Sequence, residues 1–96
     1  MNIIDRVNDL IFICERMSEI LTIENKALRA HEGSKLQERL DEKTKLSLFY
    51  ERHMKSIKKN PELFQQVDEE TRKTLRTLSE EMQTLLDENG TLLKIA

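Results

Sequence analysis

The sequence has no tryptophan, and it has two glycines and one proline among its 96 residues. Sheet proteins use glycine and proline in their tight turns and long β-branched runs in their strands, and both are scarce here. Charged residues instead make up 35% of the chain. These features exclude a fold rich in β-strands and predict an all-α protein.

Cysteine is nearly absent, because Cys14 is the only one, and no intramolecular disulfide can form. A chain of this kind is expected in a reducing compartment. The first ten residues carry Asp5 and Asp9 and no cationic start, which argues against a signal peptide. The longest apolar run, residues 10–14, is far shorter than the roughly 20 residues that cross a bilayer. We expect a cytoplasmic protein without membrane insertion.

An excess of one charge is also missing, because 16 basic and 18 acidic residues give a net charge of −2. The two signs are mixed along the chain, so the overall field favours neither nucleic acid nor an anionic membrane. One local basic cluster stands at the end of a predicted helix, where cations offset the helix dipole. Its members are Arg52, Lys55, Lys58 and Lys59. No nucleic-acid partner is expected.

Motifs that carry catalysis or bind metals and cofactors are absent from the sequence. His31 and His53 are far apart and have no cysteine or third histidine beside them, so we expect no metal site. Cys14 lies in an apolar row, which favours a packing role over a nucleophilic one. The chain is similar in length and helicity to the all-helical chorismate mutases. That family needs several converging Arg and Lys side chains, including an Arg-Glu pair in its third helical segment, whereas the only arginines after Pro61 here are Arg72 and Arg76, in an unlike context. We expect no enzyme activity and no cofactor.

Apolar residues recur at intervals of three and four in three segments, a spacing typical of helices that pack along a seam. The predicted helices cover about residues 2–30, 34–59 and 68–95. Ser34 with Gln37 resembles a capping box at the start of the second helix, and Pro61 ends that helix and starts a short helical turn. The expected fold is one domain over residues 1–96, an elongated antiparallel three-helix bundle with coiled-coil-like packing.

Each predicted helix has a polar residue in its apolar seam: Glu24 or Asn25 in the first, Lys43 in the second and Asn89 in the third. Folding the three helices against one another places these positions at similar levels. We therefore predict one buried polar layer, a feature that commonly fixes helix register at some cost in stability. Gly90 follows Asn89, although glycine costs about 1 kcal/mol relative to alanine inside a helix.

The last helix has more apolar surface than one seam needs, and the surplus lies near its end. Leu75, Leu78 and Met82 are expected to close the bundle, whereas the following residues are expected to bind a partner. The predicted partner-binding residues are Leu85, Leu86, Asn89, Leu92, Leu93 and Ile95.

Two segments, residues 24–49 and 78–93, resemble the FlgN family of flagellar export chaperones. In that family one helix ends with an Asn followed by a small residue and a Leu, the next helix has a Glu-Lys pair before a Leu, and the last helix carries an Asn in a leucine seam. The matching residues here are Asn25, Ala27 and Leu28; Glu42, Lys43 and Leu46; and Asn89 among Leu85, Leu86, Leu92 and Leu93.

The resemblance implies a cytoplasmic chaperone that binds hook-associated flagellar proteins and delivers them to the export apparatus. Family members bind an amphipathic helix of the client through their C-terminal helix, and they usually continue well beyond its Asn. The client-binding portion is here expected to be short, or to be supplied mostly by the region around Leu85 to Ile95. The alternative is a structural or adaptor coiled coil that self-associates as a homo-oligomer through Phe12, Ile13 or the C-terminal leucines.

Overall fold

The computed structural model describes residues 2–95, with the side chain of Lys35 excepted. Within that range the chain forms helices and no strands, which confirms the predicted all-α bundle. The described residues form four α-helices and one 3₁₀-helix, whereas three helices were predicted. They are α1 (Ile3–Arg29), the 3₁₀-helix (Gly33–Arg39), α2 (Leu40–Lys59), α3 (Pro61–Phe64) and α4 (Glu69–Ile95). Residues 1 and 96 of the predicted domain lie outside the described residues.

Helix α1 begins and ends with the local interactions expected of a long helix. The Asn2 side-chain oxygen accepts a hydrogen bond from the Asp5 amide at 2.8 Å, which satisfies one of the free amides of the first turn. Lys26 and Arg29 lie in the last turn, where cations are favoured by the helix dipole. His31 then adopts a left-handed backbone conformation with φ 58°, and the chain reverses.

The connection to α2 differs from the prediction, because the α-helix begins at Leu40 and not at residue 34. The intervening segment is a 3₁₀-helix that no side chain caps at its start, so the capping box expected from Ser34 and Gln37 does not form. Gly33 and Ser34 are weak α-helix formers. A 3₁₀-helix also covers more length per residue than an α-helix, which suits a segment that crosses the end of α1.

The second reversal uses the predicted proline turn. Pro61 is the first residue of the one-turn helix α3, where its fixed φ is compatible and its missing amide costs nothing. The Asp68 carboxylate then accepts hydrogen bonds from the Thr71 amide at 3.0 Å and from the Thr71 hydroxyl at 2.6 Å. These bonds, which lower the pKa of Asp68, favour the start of α4 at Glu69.

Helix α1 is the central element and supplies most of the buried side chains. Cross-helix contacts pair Arg6 with His53 and Glu24 with Lys43, so α2 runs back along α1. Met17 lies beside Met82 and Asn25 contacts Asn89, so α4 follows the direction of α1. The bundle measures 45 × 22 × 17 Å. Its core is an apolar cluster formed mainly by Val7, Leu10, Ile13, Cys14, Met17, Ile20, Leu21, Leu46, Ile57, Val67, Leu75 and Met82.

Candidate partner-binding site

One buried polar layer joins the three long helices, as predicted. The Lys43 ammonium donates to Glu24 Oε1 at 2.9 Å and to Asn89 Oδ1 at 3.1 Å. The Asn89 amide nitrogen donates to Glu24 Oε1 at 3.2 Å and to Asn25 Oδ1 at 2.9 Å. We call Glu24, Asn25, Lys43 and Asn89 the polar layer.

Burial makes these bonds obligatory for the folded state. Asn25 is 1% exposed, Asn89 is 3% exposed and Glu24 is 4% exposed, while the Lys43 side chain retains 20% exposure. A buried carboxylate without a partner costs several kcal/mol, so Glu24 requires the Lys43 charge beside it. The side chains bond to one another in only one alignment of the three helices, and the layer therefore sets their register.

A second set of contacts extends the layer toward the surface along α1 and α4. The Asn25 amide donates to the Leu85 carbonyl at 3.2 Å and to Glu88 Oε2 at 3.4 Å. Glu88 also forms an ion pair with Arg29 near the end of α1. These bonds hold α1 and α4 together up to the last turn of α1.

The six residues predicted to bind a partner do not share one environment. Asn89 is buried in the polar layer and is bonded to three side chains there. Leu85 and Leu86 are partly buried against the core, and Leu92 is half-buried. Leu93 and Ile95 are exposed at 46% and 77%. The apolar surface left open near the end of α4 therefore lies beyond the polar layer.

That end of α4 continues past its neighbour. Asn25 bonds to Asn89, and α1 ends at Arg29, one turn later. Four residues after Asn89, α4 reaches Leu93. From that point on, no turn of α1 lies beside α4. We call Leu92, Leu93 and Ile95 the distal segment.

A shallow groove lies beside Leu86, between α2 and α4. One part has a volume of about 210 Å³ and is lined by Met17, Tyr50, Met82 and Leu86, among other residues. Leu86 and Leu93 are seven residues apart and lie on one face of α4. Leu93 therefore extends the face of α4 that lines the groove, whereas Leu92 and Ile95, six and nine residues after Leu86, lie on other sides of the helix.

A separate groove lies between α1 and α2, with a volume of about 350 Å³. Phe12 and Phe49, exposed at 66% and 46%, line it together with Ile13 and Leu46. Ile13 is 5% exposed and belongs to the core, so of the two residues singled out in the sequence only Phe12 offers a free surface.

An ion pair also joins α1 and α2. Arg16 donates two hydrogen bonds to the Glu42 carboxylate, at 2.6 and 2.8 Å. The periodicity of the sequence did not predict this pair.

Burial perturbs the pKa values of Cys14 and His53. Burial, with a smaller contribution from Glu15, raises the pKa of the Cys14 thiol to about 11, which fits the packing role predicted for it. Burial and the nearby Arg6 guanidinium lower the pKa of His53, and Asp9 partly opposes this shift. The Arg6 Nη1 atom lies 3.0 Å from His53 Nδ1, which accepts its hydrogen bond when the ring is neutral.

No helix in residues 2–95 combines the length and apolar character needed to cross a membrane. Within the same range, there is no group of three or more His, Cys, Asp or Glu side chains that could hold a metal ion.

Comparisons of the chain with protein-family models, with curated proteins and with solved structures found no match.

Proposed function

We propose that this chain is a flagellar export chaperone that binds an amphipathic helix of a hook-associated protein before secretion. The observation that carries the proposal is the face of α4 that runs from Leu86, in the groove, to the exposed Leu93. An amphipathic client helix binds such a surface by placing apolar residues at intervals of three and four into the groove. In this proposal the protein is cytoplasmic, has no catalytic activity and works as an antiparallel bundle of its three long helices.

The residues behind the FlgN resemblance support the proposal by their position. Asn25, Lys43 and Asn89 come from three separate stretches of the sequence, and they meet in the polar layer. The layer holds α4 in register with α1 and α2, while the distal segment beyond it stays open. A bundle whose helices are aligned by the polar layer, with an open end of α4 beyond it, suits a chaperone that must bind a client helix without losing its own fold.

Gly90 gives the end of α4 a second property that suits client release. It lies inside α4, its φ is not positive, and a Cβ atom added there would meet nothing within 4 Å. The backbone therefore does not require glycine at this position. Glycine weakens a helix by roughly 0.5 to 1 kcal/mol, so it lowers the local stability of the turns that carry the distal segment. A weakly held end can adjust to the client and then release it to the export apparatus.

Only part of the predicted partner-binding set takes part in this mechanism. Leu86 and Leu93 contact the client on one face of α4, whereas Leu85, Leu92 and Ile95 lie on other sides of the helix. Asn89 acts by aligning α4 within the polar layer, because its side chain is buried and bonded.

The test measures binding of the purified chain to purified hook-associated flagellar proteins encoded in the same genome. Isothermal titration is expected to give a defined complex with one of them. Leu93→Asp should weaken binding at least tenfold, since a carboxylate cannot enter an apolar contact without losing its hydration. The matched control is Leu48→Asp, because Leu48 has nearly the same exposure, 47%, on α2.

The outcomes separate binding from folding. Both variants should keep the helicity of the wild type, because both positions are exposed. The proposal is wrong if no hook-associated protein binds, or if the two variants lose binding equally.

A further inference from the structure

Four residues on the outward side of α1 form a pattern that is symmetric from end to end. Phe12, Arg16, Glu19 and Ile23 follow one another at intervals of four, three and four residues. This spacing places them in one stripe along the helix. Apolar side chains occupy both ends of the stripe, and two opposite charges occupy its middle. We call these four residues the α1 stripe.

The stripe is open to solvent. Phe12 is 66% exposed and Ile23 is 42% exposed, and the Arg16 and Glu19 side chains are 35% and 65% exposed. The stripe therefore presents two exposed apolar side chains with a solvent-accessible ion pair between them, on the helix that forms the centre of the bundle.

We propose that the α1 stripe binds the α1 stripe of a second copy of this chain in antiparallel orientation. Each Phe12 then packs against Ile23 of the second copy, and each Arg16 meets Glu19 of the second copy. Both contacts occur twice because the pair has two-fold symmetry. The complementary charges argue for a second copy as the occupant, since the stripe supplies its own partner at every position.

The charges also select the orientation. In a parallel pair, Arg16 would face Arg16 of the second copy, and Glu19 would face Glu19. Like charges held opposite each other are destabilising, whereas the antiparallel pair places opposite charges together. Antiparallel pairing is thus the arrangement in which all four positions are satisfied.

The surrounding bundle prepares the stripe for this contact. Two nitrogens of Arg16, Nε and Nη2, bond to Glu42 at 2.6 and 2.8 Å, which holds the guanidinium in place. Its remaining nitrogen, Nη1, bonds to Glu19 of the same chain at 3.1 Å, and in the pair it bonds to Glu19 of the second copy. A side chain that is already ordered loses less entropy on binding. Phe12 also lines the groove that contains Phe49, and this groove offers space for Ile23 of the second copy.

The size of the contact predicts its strength. Ile23 lies eleven positions after Phe12, which is about 16 Å along the helix. An interface of this length falls at the small end of specific interfaces. The dimer is therefore transient and becomes more populated as the concentration rises. It uses α1 and not the face of α4 at Leu86 and Leu93, so its test is independent of client binding.

The experiment combines sedimentation equilibrium with exchange of charges between chains. Wild-type chain at increasing concentration should show a monomer–dimer equilibrium. Arg16→Glu alone and Glu19→Arg alone each place like charges opposite one another twice, and each should weaken dimerisation by about tenfold, the effect of two surface charge pairs. An equimolar mixture of the two variants restores opposite charges at both positions, and it should form a heterodimer at least as strong as the wild type.

Apolar substitutions provide the second readout, with a control on the same helix. Phe12→Ser and Ile23→Ser should each weaken dimerisation. Ile4→Ser should not, because Ile4 is 56% exposed on α1 but lies outside the stripe. Circular dichroism of every variant establishes that the monomer is folded. The proposal is overturned if the wild type stays monomeric at millimolar concentration, if the mixture fails to recover dimerisation, or if Ile4→Ser weakens it as much as Phe12→Ser does.

Discussion

Removing the Lys43 charge from the polar layer should lower the free energy of unfolding more than any other substitution of a partly exposed side chain in the bundle. Lys43→Met keeps the length of the side chain but leaves the Glu24 carboxylate, 4% exposed, with Asn89 as its one remaining side-chain donor among the described residues. Breaking a buried ion pair costs about 3 to 5 kcal/mol. Because the Lys43 side chain is 20% exposed, we expect the lower end, about 3 kcal/mol. For a chain of this size, that loss lowers the melting temperature by roughly 12 to 24 °C.

Urea and thermal unfolding followed by circular dichroism measure the effect, with two further variants to establish its cause. The control Lys45→Met changes an exposed lysine on the same helix and should alter stability little. Glu24→Gln combined with Lys43→Met should recover part of the loss, since the buried group is then neutral. The reasoning is refuted if Lys43→Met costs less than about 1 kcal/mol, the value of a surface pair, or if neutralising Glu24 recovers nothing.

Three further perturbations have expected outcomes. Gly90→Ala should raise the stability by about 0.5 to 1 kcal/mol, measured by urea unfolding, because a Cβ atom has room there; an unchanged or lower stability contradicts the structure at this turn. The Cys14 thiol, with its pKa raised to about 11, should resist alkylation at pH 8 in the folded chain and react on unfolding, and the stability of the fold should decline above the ordinary cysteine pKa as the unfolded thiol ionises. Because the pKa of His53 is lowered in the fold, the contribution of this side chain to the free energy of unfolding should be complete above its ordinary pKa and should decrease as the pH falls through the lowered folded value. His53→Gln should remove that part of the pH dependence. An identical pH profile for the two proteins would contradict the assignment.

The polar layer shows what apolar periodicity can predict. Glu24, Lys43 and Asn89 each replace an apolar residue in a seam, and the lengths of the helices place them at one level. Periodicity and length therefore sufficed to predict that they meet. The hydrogen-bond partners within the layer could not be predicted from the spacing, because they depend on side-chain directions that the spacing does not specify.

The 3₁₀-helix shows where local signals mislead. Ser34 and Gln37 have the spacing of a capping box, but the chain must cross the end of α1 at this point, and that requirement outweighs the local preference. A capping pattern describes how two residues bond if a helix starts there. It contains no information on the distance that the connection has to cover.

Burial on α1 and α2 was harder to predict for a related reason. Ile13 lies off the main seam in sequence, yet it is buried because α1 contacts both α2 and α4 and so buries a wide arc of its surface. Phe49 belongs to the apolar row of α2, yet it is 46% exposed because α2 packs at the edge of the bundle. Which helix is central depends on the packing of all three, and one helix's periodicity does not reveal it.

Hydrogen exchange of the chain, measured with and without a purified hook-associated flagellar protein, tests the central claim most directly. The account predicts added protection in α4 from Leu86 through the distal segment and on the facing residues of α2, with little change around Phe12. Protection at the polar layer should already be high without the client, because Asn25 and Asn89 are buried and bonded there. Binding without added protection beyond Asn89, or protection centred on Phe12 and Phe49, would contradict the account.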